Sequence, residues 1–206
     1  MNAQYKNIIF DFGGVIIRID YQRIPDTFRK FGVKDFDALY SKVHQTPLFD
    51  EFEKGLITPE VFRERLREIS GINLTDSQVD EAWNAILVDL PEKNIEVLRQ
   101  LKKSHRLFLL SNTNLIHEKA FTEIMLRDYG KNVLTEIFEK IYFSHKMYMR
   151  KPDIEIFERV LKENNLLPGE TLFVDDSLQH IEGAKKAGLQ TLWVEKGKMI
   201  ADLFTS

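Results

Sequence analysis

The feature that most constrains the fold of this chain is a series of short, largely apolar runs, most of them carrying or ending beside residues able to do chemistry. The runs lie at 8–12 (IIFDF), 107–110 (LFLL), 141–143 (IYF), 172–174 (LFV) and 191–194 (TLWV). Each is too short for a helix and continuous rather than alternating, the pattern of strands covered on both faces. Helical patterns separate the later runs. Residues 91–103 open with Pro91 and carry Ile95, Leu98 and Leu101; residues 154–161 carry Ile154, Phe157 and Leu161. Residues 181–187 run into Gly188, a residue suited to a left-handed helix stop. Strands alternating with helices predict an α/β fold, a doubly wound, mostly parallel sheet with right-handed crossovers.

Residues 21–89 break this rhythm and read as several helices without a strand. Thr58-Pro59 suits an N-cap and first helical position, and Thr75 with Gln78 has capping-box spacing ahead of Val79, Ala82, Trp83 and Ile86. The expected organisation is a core domain from 1–20 and 90–206, with an inserted all-helical cap at 21–89. Phe28, Phe31, Phe49, Phe52 and Trp83 are expected to form the core of that cap rather than a substrate wall.

Composition narrows the function by exclusion. The chain has no cysteine, which rules out disulfides, thiolate nucleophiles and thiolate metal sites. A net charge of -3 gives no electrostatic reason to expect nucleic acid or an anionic membrane as partner. The first residues lack a basic start and a long apolar stretch, so a cytoplasmic location is the expectation.

In an open α/β sheet, ligands gather beyond the carboxyl ends of the strands. The polar residues there are Asp11, Ser111-Asn112, Lys151 in the loop after the third run, and Asp175-Asp176. Taken singly, each has a plain structural reading as a turn, a helix cap or an ordinary dipeptide. Taken together, at the ends of successive strands, they are specific. Carboxylates crowded at neutral pH repel unless a cation or a proton lies between them. Oxygen ligands suit a hard ion, and Mg²⁺ also offsets the charge of a phosphate so that an anionic carboxylate can attack it. Asp side chains serve as phosphoryl acceptors. The Ser111 hydroxyl and neighbouring amides suit phosphate oxygens, and Lys151 offers a positive point charge.

Four stretches, Phe10-Asp11-Phe12-Gly13-Gly14-Val15, Leu110-Ser111-Asn112-Thr113, Arg150-Lys151-Pro152 and Phe173-Val174-Asp175-Asp176-Ser177, resemble the ordered motifs of the haloacid-dehalogenase-like superfamily across residues 8–194. The insertion, with Phe52-Glu53-Lys54-Gly55-Leu56-Ile57, looks like the cap of the branch containing the epoxide hydrolase N-terminal phosphatase and a bacterial α-glucose-1-phosphate phosphatase. The resemblance implies a Rossmann-like core, a four-helix cap and Mg²⁺ as cofactor. It further implies Asp11 as nucleophile and metal ligand, and Gly13 as a carbonyl ligand. Ser111 and Asn112 would bind phosphate, Lys151 would balance charge, and Asp176 and Asp175 would complete the metal site. The implied activity is Mg²⁺-dependent hydrolysis of a small phosphorylated metabolite, such as a sugar phosphate, through an aspartyl-phosphate.

One departure matters. Phosphatases of the superfamily usually carry a second Asp two residues after the nucleophile, as general acid and base, and here that residue is Gly13. The gap predicts better activity on leaving groups that need little protonation, such as sugar-1-phosphates and aryl phosphates. Asp20, His44 and His145 could carry a proton but read more readily as polar residues facing solvent. Three rival readings follow. A metal-independent 2-haloacid dehalogenase sits poorly with paired Asp175-Asp176. A phosphonate hydrolase would need a cap lysine, from Lys30, Lys34, Lys42 and Lys54. A non-catalytic Mg²⁺- and phosphate-binding module rests on Gly13 alone. A receiver domain is excluded by motif order, since its acidic pair comes first.

Overall fold

The computed structural model describes residues 5–36 and 46–204. Among these, the central sheet has five parallel strands: β1 (Asn7–Phe10), β4 (Arg106–Ser111), β5 (Lys140–Phe143), β6 (Thr171–Asp175) and β7 (Gln190–Trp193). Their spatial order is β5-β4-β1-β6-β7, so the winding reverses at β1. Strand β1 sits between β4 and β6, with Ile8 level with Leu107 on one side and Leu172 on the other. The largely apolar runs are explained by what covers each face. Ile8, Phe10, Leu107, Leu109, Leu172 and Val174 pack on one side of the sheet. Alternate residues Ile9, Phe108, Leu110 and Phe173 pack on the other. The first side is covered by α5 (Glu92–Leu101), α6 (Leu115–Tyr129), α7 (Val133–Ile137) and α11 (Ile200–Leu203). The second is covered by α9 (Ile154–Glu163) and α10 (Leu178–Lys186). Each fully buried large aliphatic or aromatic side chain here stabilises the sheet by about 1.5–3 kcal/mol.

A separate apolar cluster joins α1 (Arg23–Lys30), α2 (Leu48–Glu53), α3 (Pro59–Ser70) and α4 (Asp76–Asn84). Phe52 stacks on Phe62 with ring centroids 4.1 Å apart, and Phe62 meets Trp83 at 5.1 Å. The helix starts read from sequence are present. The Thr58 hydroxyl accepts from Val61 N–H, and Thr75 with Gln78 forms a capping box. Arg63 reaches across from α3 to Asp80 on α4 through two bonds of 2.7 and 2.8 Å. The expectation of no strand in residues 21–89 is corrected. Leu87–Asp89 forms β3, an antiparallel partner of β2 (Arg18–Ile19), tied by an Arg18–Asp89 ion pair. Strands this short carry no readable periodicity. Among the described residues, no helix is long and apolar enough to cross a membrane.

The helical unit is seated on the sheet domain at Gly55, just after α2. Its φ is +66°, and an added Cβ would lie 2.1 Å from the His145 carbonyl oxygen. Gly71 has nearly the same φ, +68°, with nothing within 4 Å of an added Cβ. Gly71→Ala is therefore expected to cost only the left-handed backbone term, about 1–2 kcal/mol. Gly55→Ala should cost clearly more, because the neighbour is backbone and cannot rotate aside. Urea unfolding of both variants checks this; equal midpoint shifts would mean that the close approach at Gly55 carries no energy.

Candidate active site

The carboxyl edge of the sheet gathers charge in a dry place. Asp11 directly follows β1, the strand at the switch point. Lys151, fully buried, donates from Nζ to Asp11 Oδ1 and to Asp175 Oδ2, both at 2.7 Å. Asp175, also fully buried at the end of β6, accepts in addition from Ser177 N–H at 2.8 Å and from His180 Nδ1 at 3.0 Å. Burial raises the Asp11 pKa above the ordinary carboxylate value. Lys151 opposes that rise and the charge of Asp175 adds to it. Burial would raise Asp175 as well, but Lys151 and His180 outweigh it and hold that carboxyl below the ordinary value.

The backbone of Lys151 is held as firmly as its ammonium. Lys151 N–H donates to Asn112 Oδ1, and Asn112 Nδ2 donates to the Lys151 carbonyl, both at 2.9 Å. This reciprocal pair links the loop after β4 to the loop carrying Lys151. It takes up the Asn112 carbonyl oxygen and one N–H of its amide, and so fixes the orientation of that side chain. Ser111, buried at the end of β4, stands beside it. The next turn is closed by Ser144, whose hydroxyl accepts from Thr113 N–H and donates to the Thr113 carbonyl, each at 2.9 Å.

Asp176 completes the acidic group. One oxygen from each of Asp11, Asp175 and Asp176 lies within 4.8 Å of the others. Asp176 faces solvent, yet its pKa is pushed up to about 7, first by partial burial and then by the charges of Asp11 and Asp175. Three carboxylates and one ammonium leave the cluster short of positive charge, and a donor set of carboxylate oxygens fits a hard divalent cation. Backbone crowds this place too. Gly14 has φ +74°, and a Cβ there would lie 2.3 Å from Asp176 Oδ2.

Above the cluster lies a cavity of about 540 Å³ shared by the sheet domain and the helical unit. Asp11, Gly13, Ser111, Asn112 and Asp176 form its floor, while Ile24, Phe49, Glu53 and Trp83 come from the helices. Phe49 and Trp83 are thus cavity wall as well as helical core, which corrects the sequence expectation for those two; Phe28 and Phe52 are buried core. Trp83 is gripped between Phe49, 5.2 Å away, and His117, 5.4 Å away, both nearly parallel to it.

The lining residues not singled out as site residues in the sequence include Glu53, His117, Arg150 and His180. Arg150 reaches to Glu53 Oε2 at 3.1 Å and to Asp50 at 3.4 Å. His117 sends Nε2 to the Trp83 carbonyl at 3.1 Å, and burial lowers its pKa to about 4, which keeps it neutral. Of the alternative proton carriers named above, Asp20 and His145 do not gather here. Asp20 is exposed and accepts from Gln22 N–H, His145 pairs with Glu118 at 2.9 Å, and His44 lies outside the described residues. Lys54 pairs with Asp50 at 3.1 Å, Lys30 and Lys34 are exposed, and Lys42 lies outside the described residues. No lysine of the helical unit lines the cavity among the described residues.

Residues 5–188 match the haloacid dehalogenase-like hydrolase family. The chain belongs to this family of enzymes. The hydrolase is 35% identical over 192 residues to a D-ribitol-5-phosphate phosphatase of Bacteroides thetaiotaomicron, covering 93% of each chain. It is 29% identical to the sesquiterpene phosphatase astK of Aspergillus oryzae, covering 92% of this chain and 89% of that one. Its fold superimposes with a TM-score of 0.88 on the family enzyme bt-2542 of Bacteroides thetaiotaomicron, solved with magnesium and inorganic phosphate. That match has 36% identity and covers 98% of this chain and 100% of the other.

Proposed function

We propose that this hydrolase is a Mg²⁺-dependent phosphatase of small phosphorylated metabolites, with polyol and sugar phosphates as the leading class, working through an aspartyl-phosphate on Asp11. The observation that carries this reading is the buried Lys151 ammonium bridging Asp11 and Asp175, with Asp176 beside them at the cavity floor. The D-ribitol-5-phosphate phosphatase among its relatives supports the polyol and sugar class, and the sesquiterpene phosphatase supports phosphatase activity more broadly. With the reading goes a division into a core (1–20 and 90–206) and a cap (21–89), and a cytoplasmic location.

Asp11 and Asp176, which line the cavity, would hold the ion directly, with the Gly13 carbonyl beside them. Asp175, already bonded to Lys151, Ser177 and His180, would support from behind. The bound ion supplies positive charge against the phosphoryl oxygens. Lys151 holds one oxygen of Asp11, which leaves the other to meet phosphorus, and its charge steadies the oxygens as the old bond breaks. The Ser111 hydroxyl and the Asn112 N–H receive the phosphate. The apolar wall of Ile24, Phe49 and Trp83 favours the shedding of water from around the carboxylate as the substrate is seated.

Phosphate release is the direct test, across polyol, sugar, nucleoside, prenyl and p-nitrophenyl phosphates. Turnover of at least one sugar or polyol phosphate is expected, cut about 100-fold or more by a chelator, since the ion contributes several kcal/mol. Dehalogenation that persists in chelator would replace this reading with the haloacid one. Folded, Mg²⁺-binding protein that releases no phosphate would leave a binding module.

A further inference from the structure

The phosphatase reading leaves one proton without a carrier. The leaving alcohol must gain a proton and the attacking water must lose one, and Gly13 has no side chain to serve either. The ionisable groups lining the cavity narrow the choice. Asp11 and Asp176 belong to the charged cluster, and His180 joins it through the bond of its Nδ1 to Asp175, which leaves its Nε2 as the rival proton carrier. His117 has both ring nitrogens committed, one to the Trp83 carbonyl and the other accepting from Asn114 Nδ2. Arg150 stays charged. Tyr21 is a phenol that is 71% exposed at the mouth.

Resting on that reading, we propose that Glu53, carried by the helical unit, gives the proton to the leaving oxygen and takes one back from the attacking water. Glu53 is the last residue of α2, two positions before the turn whose Gly55 is pressed on the His145 carbonyl. The chain therefore has little freedom where it delivers this side chain to the cavity. Its Oε2 is enclosed, 3.1 Å from Arg150 Nη2, and has no aligned hydrogen bond. Arg150 Nε is likewise enclosed without a hydrogen-bond partner. A carboxyl so held keeps its aim while remaining free to change protonation. The charged groups facing it are Arg150, Asp50 on its own helix, and His180 and Lys151 from the sheet domain. Burial dominates their sum and raises the pKa of Glu53, as an acid working near neutrality requires.

The chemistry balances. An Asp11 oxygen bonds to phosphorus as the bond from phosphorus to the alcohol oxygen breaks, and that oxygen takes the Glu53 proton. The products are a neutral alcohol, an aspartyl-phosphate and the Glu53 carboxylate. Water then bonds to phosphorus while passing a proton to Glu53, and the bond between phosphorus and Asp11 breaks. Inorganic phosphate leaves, with the Asp11 carboxylate and the Glu53 acid restored.

The test compares wild type, Glu53→Gln and the double variant Gly13→Asp/Glu53→Gln on glycerol 2-phosphate and p-nitrophenyl phosphate. An added Cβ at Gly13 meets only Ile19 Cδ1 and Cγ2, at an ordinary 3.6 and 3.8 Å, so a side chain can start there without a clash. Glu53→Gln is expected to lower kcat on glycerol 2-phosphate by about 10²–10⁴, and on p-nitrophenyl phosphate by a factor smaller by about ten or more. The fall in wild-type kcat at alkaline pH, where Glu53 loses its proton, should disappear in the variant. Gly13→Asp should restore part of the glycerol phosphate rate. Equal losses on both substrates, no loss, or an unchanged pH profile would overturn the assignment. In those cases, continued chelator-sensitive p-nitrophenyl phosphate turnover would leave the phosphatase reading standing. If wild type hydrolyses neither ester, both readings fall.

Discussion

Asp11→Asn is expected to lower turnover about 10⁴- to 10⁶-fold, the scale on which loss of a nucleophile acts, while the protein remains folded. The amide keeps the size of the carboxylate, and its oxygen can still accept from Lys151, which donates to Asp11 Oδ1 at 2.7 Å. What disappears is the anion that would bond to phosphorus. Stability should move the other way. The folded pKa of Asp11 is raised by burial above its unfolded value of 3.8. A carboxyl raised in this way favours the native state while protonated, and that contribution is lost as pH rises from 3.8 through the folded pKa. Above the folded pKa, ionised Asp11 is thus a net cost to the metal-free fold. Thermal unfolding in chelator should show Asp11→Asn melting no earlier than wild type, and later if burial dominates as argued. Earlier melting would mean that the ion pair with Lys151 outweighs burial. Turnover within tenfold of wild type would remove Asp11 from the chemistry altogether.

The parts of this site legible in the sequence are those fixed by single strands. The run 8–12 announces a strand buried on both faces because Ile8 and Phe10 pack on one side of the sheet and Ile9 on the other. Asp11, at its end, needs no tertiary information to be placed at the carboxyl edge. The same holds for Ser111 and Asp175, which close β4 and β6. Lys151 sits in a loop, and what delivers its ammonium is the pairing of Asn112 with its backbone, a contact across 39 positions that local pattern does not encode. Glu53 and Arg150 stood inside the resembling motifs, but their role depends on how the helical unit seats on the sheet. His180 could have been suspected from its position on the first turns of the helix after Asp175; the spacing alone also fits a solvated helix face. Phe49 and Trp83 read as core because an aromatic at helical spacing looks the same whether its outer edge meets protein or a cavity. The β2–β3 ribbon was missed because strands of two and three residues leave no periodic trace.

Replacing Lys151 by Met should be the most destabilising single change in the site. The side chain is fully buried and bonded to two carboxylates, and removing one partner of a buried ion pair typically costs about 3–5 kcal/mol. Against total stabilities of about 5–15 kcal/mol, that is a large share. Met fills nearly the same space, so the loss is electrostatic rather than a cavity. The pH dependence separates this cause from simple misfit. The folded pKa of Lys151 is raised above 10.5, with Asp11 and Asp175 overcoming the burial penalty, so its stabilisation is present below 10.5 and lost only as pH rises through the folded value. On the acid side, Asp11 and Asp175 gain protons in the variant and stop repelling each other. The deficit should therefore be widest across the neutral range and should shrink toward pH 4. Adding Asp11→Asn to Lys151→Met should recover part of the lost stability, because one of the two unpaired carboxylates is gone. Urea unfolding of wild type, both single variants and the double variant at pH 4.5 and 7.5 in chelator reads all of this. A deficit that does not change with pH and does not respond to Asp11→Asn would make Lys151 a packing residue, and the charge-bridging role that carries the phosphatase reading would go with it.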